Sequence, residues 1–157
     1  MNISDIAKAM AAKFGIDGLE SKDGKIELEI DGLAVMIEET DGDVFMLNGL
    51  VGEVPAEGGE AFAKILLEGN MALMNTKAAA LAKNPQSGEY VLIERLPFSA
   101  SSDFESFCES LGKFVDTLES WRNILMDFNP AAAAASAIAM EEEAEILNAL
   151  RNGFLRI

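Results

Sequence analysis

The first fourteen residues place apolar side chains at helical spacing. One apolar stripe is formed by Ile3, Ile6, Ala7, Met10 and Phe14. Asn2 stands where a helix N-cap is expected, and Gly15 stands where a helix commonly ends. The pattern predicts a helix over residues 2–14.

The hydrophobic period then changes from helical to alternating. Asp-Gly pairs, which suit tight hairpin turns, bound three segments at residues 25–30, 33–40 and 43–54. The first segment alternates strictly between apolar and charged residues, as a half-buried strand does. We therefore predict a three-stranded antiparallel meander. The second and third segments are apolar on both faces, so the second face of the sheet must be covered by a helix of the same chain or by an apolar segment of a partner.

The second half of the chain mixes helical and extended patterns. A short helix is predicted over residues 60–68, and a turn at 84–88 leads into an apolar strand at 90–96 that Pro97 ends. Hairpin geometry then places a fourth strand at residues 77–82, despite the poor strand propensity of its alanines. The predicted fold is α+β: a helix, three antiparallel strands, a helix, two strands, a long helix and an extra C-terminal helix.

Two long helices complete the prediction. Ser102 and Glu105 fit a capping box at the start of a helix that we expect to cover the inner face of the sheet and to bury Cys108 as a structural thiol. Asn129 and Pro130 suit the start of a final helix over residues 131–152, which Gly153 should end. A narrow apolar seam on this final helix is marked by Met140, Ala144, Leu147, Leu150 or Arg151, and Phe154.

Composition narrows the classes of function. A chain of 157 residues without histidine and with one cysteine lacks histidine-activated nucleophiles, internal disulfides and multi-cysteine zinc sites. The 27 acidic residues against 12 basic ones give a net charge of −15, which makes nucleic acid and anionic membranes poor partners. No targeting segment or membrane-spanning stretch is visible, so we expect a soluble, cytoplasmic protein.

No catalytic or cofactor motif is present in the sequence. Phosphate-binding glycine loops, nucleophile elbows and calcium loops are all missing. The acidic run at residues 141–143 is most simply a solvated helix face rather than a metal site. The 8 methionines either fill irregular gaps in the core or form an apolar surface that accepts varied partners. These features favour a binding protein without cofactor or catalytic activity.

Several short motifs follow one another over residues 1–128. They are Leu66-Leu67-Glu68-Gly69-Asn70, a Gly88-bearing hairpin between Leu81 and Leu92, Glu94-Arg95-Leu96-Pro97, and Phe114-Val115 followed by Trp121-Arg122. In this order and spacing, the chain resembles the class I type III secretion chaperones, the family that includes the Tir chaperone.

This resemblance implies a homodimer that binds the N-terminal segment of a secreted effector in extended form and keeps it competent for export. The effector segment would lie where the first helix meets the meander and would add a strand to a sheet edge. The effector-binding residues implied by position are Met10, Phe14, Val35, Met36, Phe45 and Met46. The dimer interface implied at the second helix and the strand after it comprises Phe62, Ile65, Leu66, Leu73 and Leu81.

Two questions stay open in the sequence. The chaperone-like domain spans residues 1–128, and the extension over residues 129–157 goes beyond the family pattern. This extension either packs on its own subunit, reinforces dimerisation, or lies over the apolar groove in place of an effector. A regulatory α+β domain that binds a cytoplasmic partner without export is the alternative function, since a fold does not fix a function.

Overall fold

A computed structural model describes residues 2–40, 44–71, 76–97 and 103–154, with side chains described as far as residue 148. The elements in chain order are α1 (Ile3–Phe14), β1 (Lys25–Ile30), β2 (Leu33–Thr40), β3 (Val44–Gly52), α2 (Gly59–Gly69), β4 (Ala80–Lys83), β5 (Tyr90–Pro97), α3 (Phe104–Met126) and α4 (Pro130–Phe154). This order confirms the predicted α+β architecture.

The five strands form a single antiparallel sheet in the order β1-β2-β3-β5-β4. Ile37 lies opposite Ile26 on one side and opposite Leu47 on the other, so the apolar residues of neighbouring strands share one face. We call this the inner face; its buried side chains include Ile26, Leu33, Val35, Ile37, Phe45, Leu47 and Leu92. The strands β1 and β4 form the two edges of the sheet.

Helix α3 lies across the inner face and completes the core, as predicted. It buries Phe107, Leu111, Phe114, Leu118 and Trp121. The approach is close at β3, because a Cβ built on Gly49 would lie 2.5 Å from Cδ2 of Leu118. Helix α2 joins the same core through Phe62, whose ring centroid lies 5.4 Å from that of Tyr90.

The opposite, outer face of the sheet carries apolar side chains that no helix of the described residues covers. Met36, Met46, Val91 and Ile93 are half-buried there, and Leu50 is 36% exposed. A shallow depression of about 460 Å³ on this face is lined in part by Ala34, Met36, Asn48, Leu50 and Val91. Of the two expected ways to cover this face, a helix of the same chain is not found in the described part of the structure.

The fourth strand is shorter and later than predicted. It spans Ala80–Lys83, whereas the hairpin argument placed it at residues 77–82. Residues 76–78 form a turn instead, and Lys77 adopts a φ of 56° that an extended strand does not allow. The shorter β4 pairs with β5 with Leu81 opposite Leu92 and Lys83 opposite Tyr90.

Most helix termini lie where the sequence predicts them, and two do not. Asn2 and Asp5 form a capping box at α1, and Gly15 ends that helix in a left-handed conformation, as predicted. At α3 the cap is Asp103, whose side chain accepts a hydrogen bond from the Ser106 N–H at 2.7 Å, while Ser102 lies outside the described residues. Gly153 lies within α4 rather than after it. A single glycine costs a helix only about 1 kcal/mol and need not end it.

Helix α4 extends away from the domain after a short contact with it. Its N-terminus is capped by Asn129, whose side chain accepts hydrogen bonds from the N–H groups of Ala131 and Ala132. Phe128 packs on Phe62 at a centroid distance of 5.0 Å, and beyond this point the described side chains of α4 are almost all exposed. Among the described residues, no helix combines the length and the apolar character that crossing a bilayer requires.

Candidate functional site

An open apolar groove lies between α1, β1 and α3. Its volume is about 630 Å³. Its apolar lining comprises Met10, Phe14, Ile16, Leu28, Ile30, Cys108, Leu111 and Val115. Phe14 and Ile16 are 52% and 39% exposed, so apolar side chains are in contact with solvent at the mouth of the groove. An open apolar surface of this kind is typical of a protein interaction site.

Acidic residues surround this groove. Glu29, Asp31, Glu105, Glu109 and Asp116 lie among its lining residues, with Lys13 as the basic one. The rim therefore carries a negative potential that favours a ligand with basic side chains next to its apolar ones. No group of three or more His, Cys, Asp or Glu residues in the described ranges is positioned to hold a metal ion.

Lys13 connects the two helices that border the groove. Its Nζ lies 2.7 Å from Oε2 of Glu105, and this hydrogen bond raises the pKa of Lys13. The same Nζ lies 5.7 Å from the ring centroid of Phe104 and 5.8 Å from that of Phe14. The ammonium therefore joins α1 to α3 and lies beside two aromatic rings at the groove mouth.

Cys108 lines the groove as a half-buried thiol rather than a fully buried core residue. Burial raises the pKa of the Cys108 thiol, and the nearby Lys13 only partly offsets this effect. Because the thiolate is the reactive form, a raised pKa lowers the reactivity of the Cys108 thiol.

The strand that borders the groove is an edge strand. In the described residues β1 pairs with β2, and apart from a bridge between Lys22 and Lys25 its other side carries no strand. An edge strand presents backbone N–H and C=O groups to which another extended segment can pair. The groove thus combines an apolar floor with a strand edge that an extended peptide can extend.

Comparison with known proteins agrees with this geometry. The family model of the Tir chaperone protein (CesT) family matches residues 5–122. The chain belongs to this family. It is a member of the type III secretion chaperones that its motifs resemble. No curated protein matches the chain significantly in sequence.

Solved chaperone structures share the fold of this chaperone at low sequence identity. The structure of the ExsC–ExsE complex matches with a TM-score of 0.67 and 17% identity, covering 80% of this chain and 97% of that one. The ExoU–SpcU complex from the type III secretion system of Pseudomonas aeruginosa matches with a TM-score of 0.56 and 21% identity, covering 78% and 93%. The Yersinia pestis type III secretion chaperone SycH, in complex with a fragment of YscM2, matches with a TM-score of 0.56 and 16% identity, covering 75% and 98%.

The six residues assigned to effector binding by position do not meet on one surface of this chaperone. Phe14 lies at the groove mouth, and Met10 lies at its floor with 2% exposure. Val35 and Phe45 are buried in the core, because their strand positions face α3. Met36 and Met46 lie on the outer face of the sheet, opposite the groove. Because side chains alternate along a strand, neighbours such as Val35 and Met36 lie on opposite faces of the sheet.

The groove also contains residues that sequence reasoning missed. Ile16 and Val115 line it with Leu28 and Ile30. The alternation of β1 predicts that Leu28 and Ile30 face inward, but it does not predict that they lie at an open edge of the sheet. Whether a strand lies at the edge depends on the order of the strands in the sheet. The sequence does not determine this order, because the same hydrophobic pattern is compatible with several strand orders.

Most of the residues assigned to the dimer interface belong instead to the core of the subunit. Phe62, Leu66 and Leu81 are 0%, 5% and 7% exposed, because α2 packs them against the inner face and β4. Ile65 is half-buried, and Leu73 lies outside the described residues. The apolar residues that α2 and its end leave in solvent are Leu67 and Met71, both 71% exposed.

The motifs that carry the family resemblance have structural roles in this subunit. The Asn70 side chain accepts a hydrogen bond from the Leu81 N–H at 2.8 Å and donates one to the Leu81 carbonyl at 3.0 Å, so it pairs with β4 as a strand would. Trp121 packs directly on Gly69, leaving no space for a Cβ there. Arg122 donates a hydrogen bond of 2.6 Å to the Gly32 carbonyl in the β1–β2 turn. These contacts fix α2, β4 and the meander around α3.

Proposed function

We propose that this type III secretion chaperone acts in the cytoplasm and binds the N-terminal segment of a secreted effector in the groove between α1, β1 and α3. The observation that carries this proposal is the open apolar groove beside an edge strand. The HopA1–SchA chaperone–effector complex and the ExoT–SpcS complex have similar folds, which supports a protein segment as the ligand.

An extended effector segment can use both features of the groove. Its backbone pairs with the edge of β1, which gives affinity that depends little on sequence. Alternate side chains then enter the groove, where each buried leucine or isoleucine contributes roughly 1.5–3 kcal/mol. The acidic rim favours a segment with lysine or arginine near these anchors, and this contribution weakens as salt increases. The chaperone thereby keeps the bound segment unfolded without any catalytic chemistry.

Capture from native cells tests this function. The chain is purified from the cells that make it, and the bound proteins are identified by mass spectrometry and limited proteolysis. A secreted protein held through its N-terminal segment supports the export chaperone. A partner that is never exported would favour the alternative of a regulatory α+β domain.

Cys108 provides a direct probe of groove occupancy. Its half-buried, neutral thiol should react with a maleimide several-fold more slowly in the folded chaperone than in urea, because burial raises its pKa. A bound effector segment should slow the reaction at least several-fold further, since Cys108 lines the groove. Quenched labelling followed by mass spectrometry measures both rates. An unchanged labelling rate in the saturated complex would place the effector elsewhere.

We further propose that the chaperone is a homodimer formed through the exposed side of α2 and the edge of β4. Leu67 and Met71 supply exposed apolar side chains at this place. Leu67 lines a shallow depression of about 470 Å³ between α2 and β4, together with Leu66, Leu81 and Ala82, among others. An exposed apolar side chain beside an edge strand is a surface that a second copy can cover.

Substitution on the exposed side of α2 tests the dimer. Leu67→Glu should weaken self-association by about tenfold or more, because a charge would be buried without a partner. Sedimentation velocity over a concentration series measures this change. The control Ala12→Glu adds the same charge at an exposed position of α1 and should leave the association unchanged. Unaltered association of Leu67→Glu would remove α2 from the interface.

A further inference from the structure

The two edges of the sheet differ in what their backbone groups bind. On β4, the side chain of Asn70 bonds both the N–H and the carbonyl of Leu81, at 2.8 and 3.0 Å. A further strand therefore cannot pair at this point of β4 without displacing Asn70. On β1, Lys22 bonds the N–H and the carbonyl of Lys25, at 2.9 and 2.8 Å, which closes only the first residue of that strand. The rest of the β1 edge is open to an added strand.

The backbone bonds also show which residues of β1 face this open edge. The Gly24 carbonyl accepts a hydrogen bond from the N–H of Glu39 in β2 at 2.9 Å, whereas the N–H and carbonyl of Lys25 point to the other side. In an antiparallel pair, this direction alternates from one residue to the next. Glu27 and Glu29 therefore direct their backbone groups outward, as Lys25 does. An added strand would form its backbone hydrogen bonds with these two residues.

The side chains of the same two residues are unpaired acids. Glu27 lies opposite Met36, an outer-face residue, and Glu29 follows two positions later, so both carboxylates lie on the outer face and are exposed. Within the described ranges neither of them forms an ion pair. Lys25, on the same face of β1, is already paired with Glu38 at 3.1 Å. An added strand would therefore meet two uncompensated negative charges on its outer side.

The inner side of the same edge is apolar. Leu28 and Ile30 alternate with the two glutamates, so their side chains point to the opposite face, where they are half-buried and line the groove. The open part of β1 thus presents charge on one face and apolar surface on the other.

We propose that the effector segment added to β1 alternates basic and apolar residues, with lysine or arginine opposite Glu27 and Glu29. This inference rests on the proposed function, that the groove beside β1 binds an effector segment. Cross-strand pairs of opposite charge stabilise a sheet, and like charges directly opposite destabilise it. The basic side chains lie on the outer side of the added strand, and the apolar ones enter the groove beside Leu28 and Ile30. Glu27 and Glu29 are therefore specificity-determining residues.

Charge excludes a second copy of this chain as the added strand. Two β1 edges paired with one another would bring Glu27 and Glu29 of both copies onto one face, with like charges opposite one another. The net charge of −15 adds to this repulsion and favours a basic partner.

Two synthetic peptides test the proposed pattern on the full-length chain. In one, three leucines alternate with three lysines between serine flanks; in the other, glutamates replace the lysines. The lysine peptide should bind about tenfold more tightly, because it exchanges two like-charged cross-strand pairs for two of opposite charge. Nuclear magnetic resonance titration of the isotope-labelled chaperone at low salt measures both affinities, and the amide signals of Glu27 and Glu29 should shift. Equal affinities of the two peptides overturn the proposal.

Charge reversal on β1 separates this preference from the overall charge. The double variant Glu27→Lys/Glu29→Lys should prefer the glutamate peptide, and Glu27→Gln/Glu29→Gln, which keeps the shape of the side chains, should bind both alike. The matched control Glu57→Lys/Glu119→Lys makes the same change in net charge at exposed positions outside the groove lining and should keep the preference of the parent. A preference that reverses equally in the control overturns the proposal.

Phe14→Ala distinguishes a failure of this inference from a failure of the groove. It should weaken the binding of both peptides to a similar extent, because it removes an apolar contact without changing charge. If it does so while the parent binds both peptides alike, the proposed pattern is wrong and the groove stands. If neither peptide shifts the amide signals of Glu27 and Glu29, both the pattern and the proposed site are wrong.

Discussion

Replacing Gly69 with alanine will destabilise the subunit by about 3 kcal/mol, the upper end of the usual cost of overpacking a core. The Cβ would fall on the Trp121 ring, and its next neighbour, Cδ1 of Leu81, lies at 3.5 Å. Neither side chain has room to retreat, because both are more than nine-tenths buried. The free energy of unfolding in urea, measured by far-ultraviolet circular dichroism, gives the effect.

Gly112 is the matched control for this substitution. It lies within α3, and a Cβ there would meet nothing within 4 Å. Gly112→Ala should therefore raise the free energy of unfolding by about 0.5–1 kcal/mol, the ordinary gain in a helix interior. Equal midpoints for the two variants would mean that Trp121 does not press on α2 as described.

Phe14→Glu will reduce effector affinity by about 100-fold while leaving the fold intact. Phe14 is 52% exposed, so its loss costs the core little. In the groove, however, the change removes an aromatic side chain that an effector would contact. It also adds a negative charge to a rim that is already acidic, and this charge would have to lose its hydration when an apolar effector side chain binds. Titration of a labelled effector segment at fixed salt measures the affinity.

Two further variants locate the effector-binding surface. Ala12→Glu adds the same charge to an exposed position of α1 that does not line the groove, and it should bind as the parent does. Met36→Glu places the charge on the outer face of the sheet, where a bound segment in the groove cannot reach it. Loss of binding in Met36→Glu, with Phe14→Glu unaffected, would move the site to the outer face.

The fold could be predicted from the sequence because its local signals agree with one another. Asp-Gly turns and strict alternation define β1 and its neighbours, and capping residues define α1 and α4. The fourth strand is present, but its bounds differ from the prediction because its alanines carry no strand signal of their own. Leu81 in this strand exchanges two hydrogen bonds with the side chain of Asn70, eleven residues away, and no local pattern contains such a contact.

The candidate site was predicted only in outline. An open groove lies at the predicted junction of α1 with the meander, and Phe14 and Met10 line it. The strand residues that were assigned to effector binding lie partly in the core and partly on the outer face. The sequence could not separate them, because Val35 and Met36 are both apolar and only the position of α3 shows which face is the inner one. On α2, likewise, Phe62 and Leu66 are buried in the core whereas the equally apolar Leu67 is exposed, and the sequence alone does not distinguish them.

The contacts of Asn70, Trp121 and Arg122 have a consequence for how cargo preference is distributed in such proteins. These side chains hold the framework together and lie outside the groove lining. Apart from Val115, the motifs by which the chain is recognised contain no residue of the groove lining. Two chaperones that share these motifs can therefore differ at Phe14, Ile16 and Leu28 and bind different effectors, so selectivity is to be sought outside the motifs.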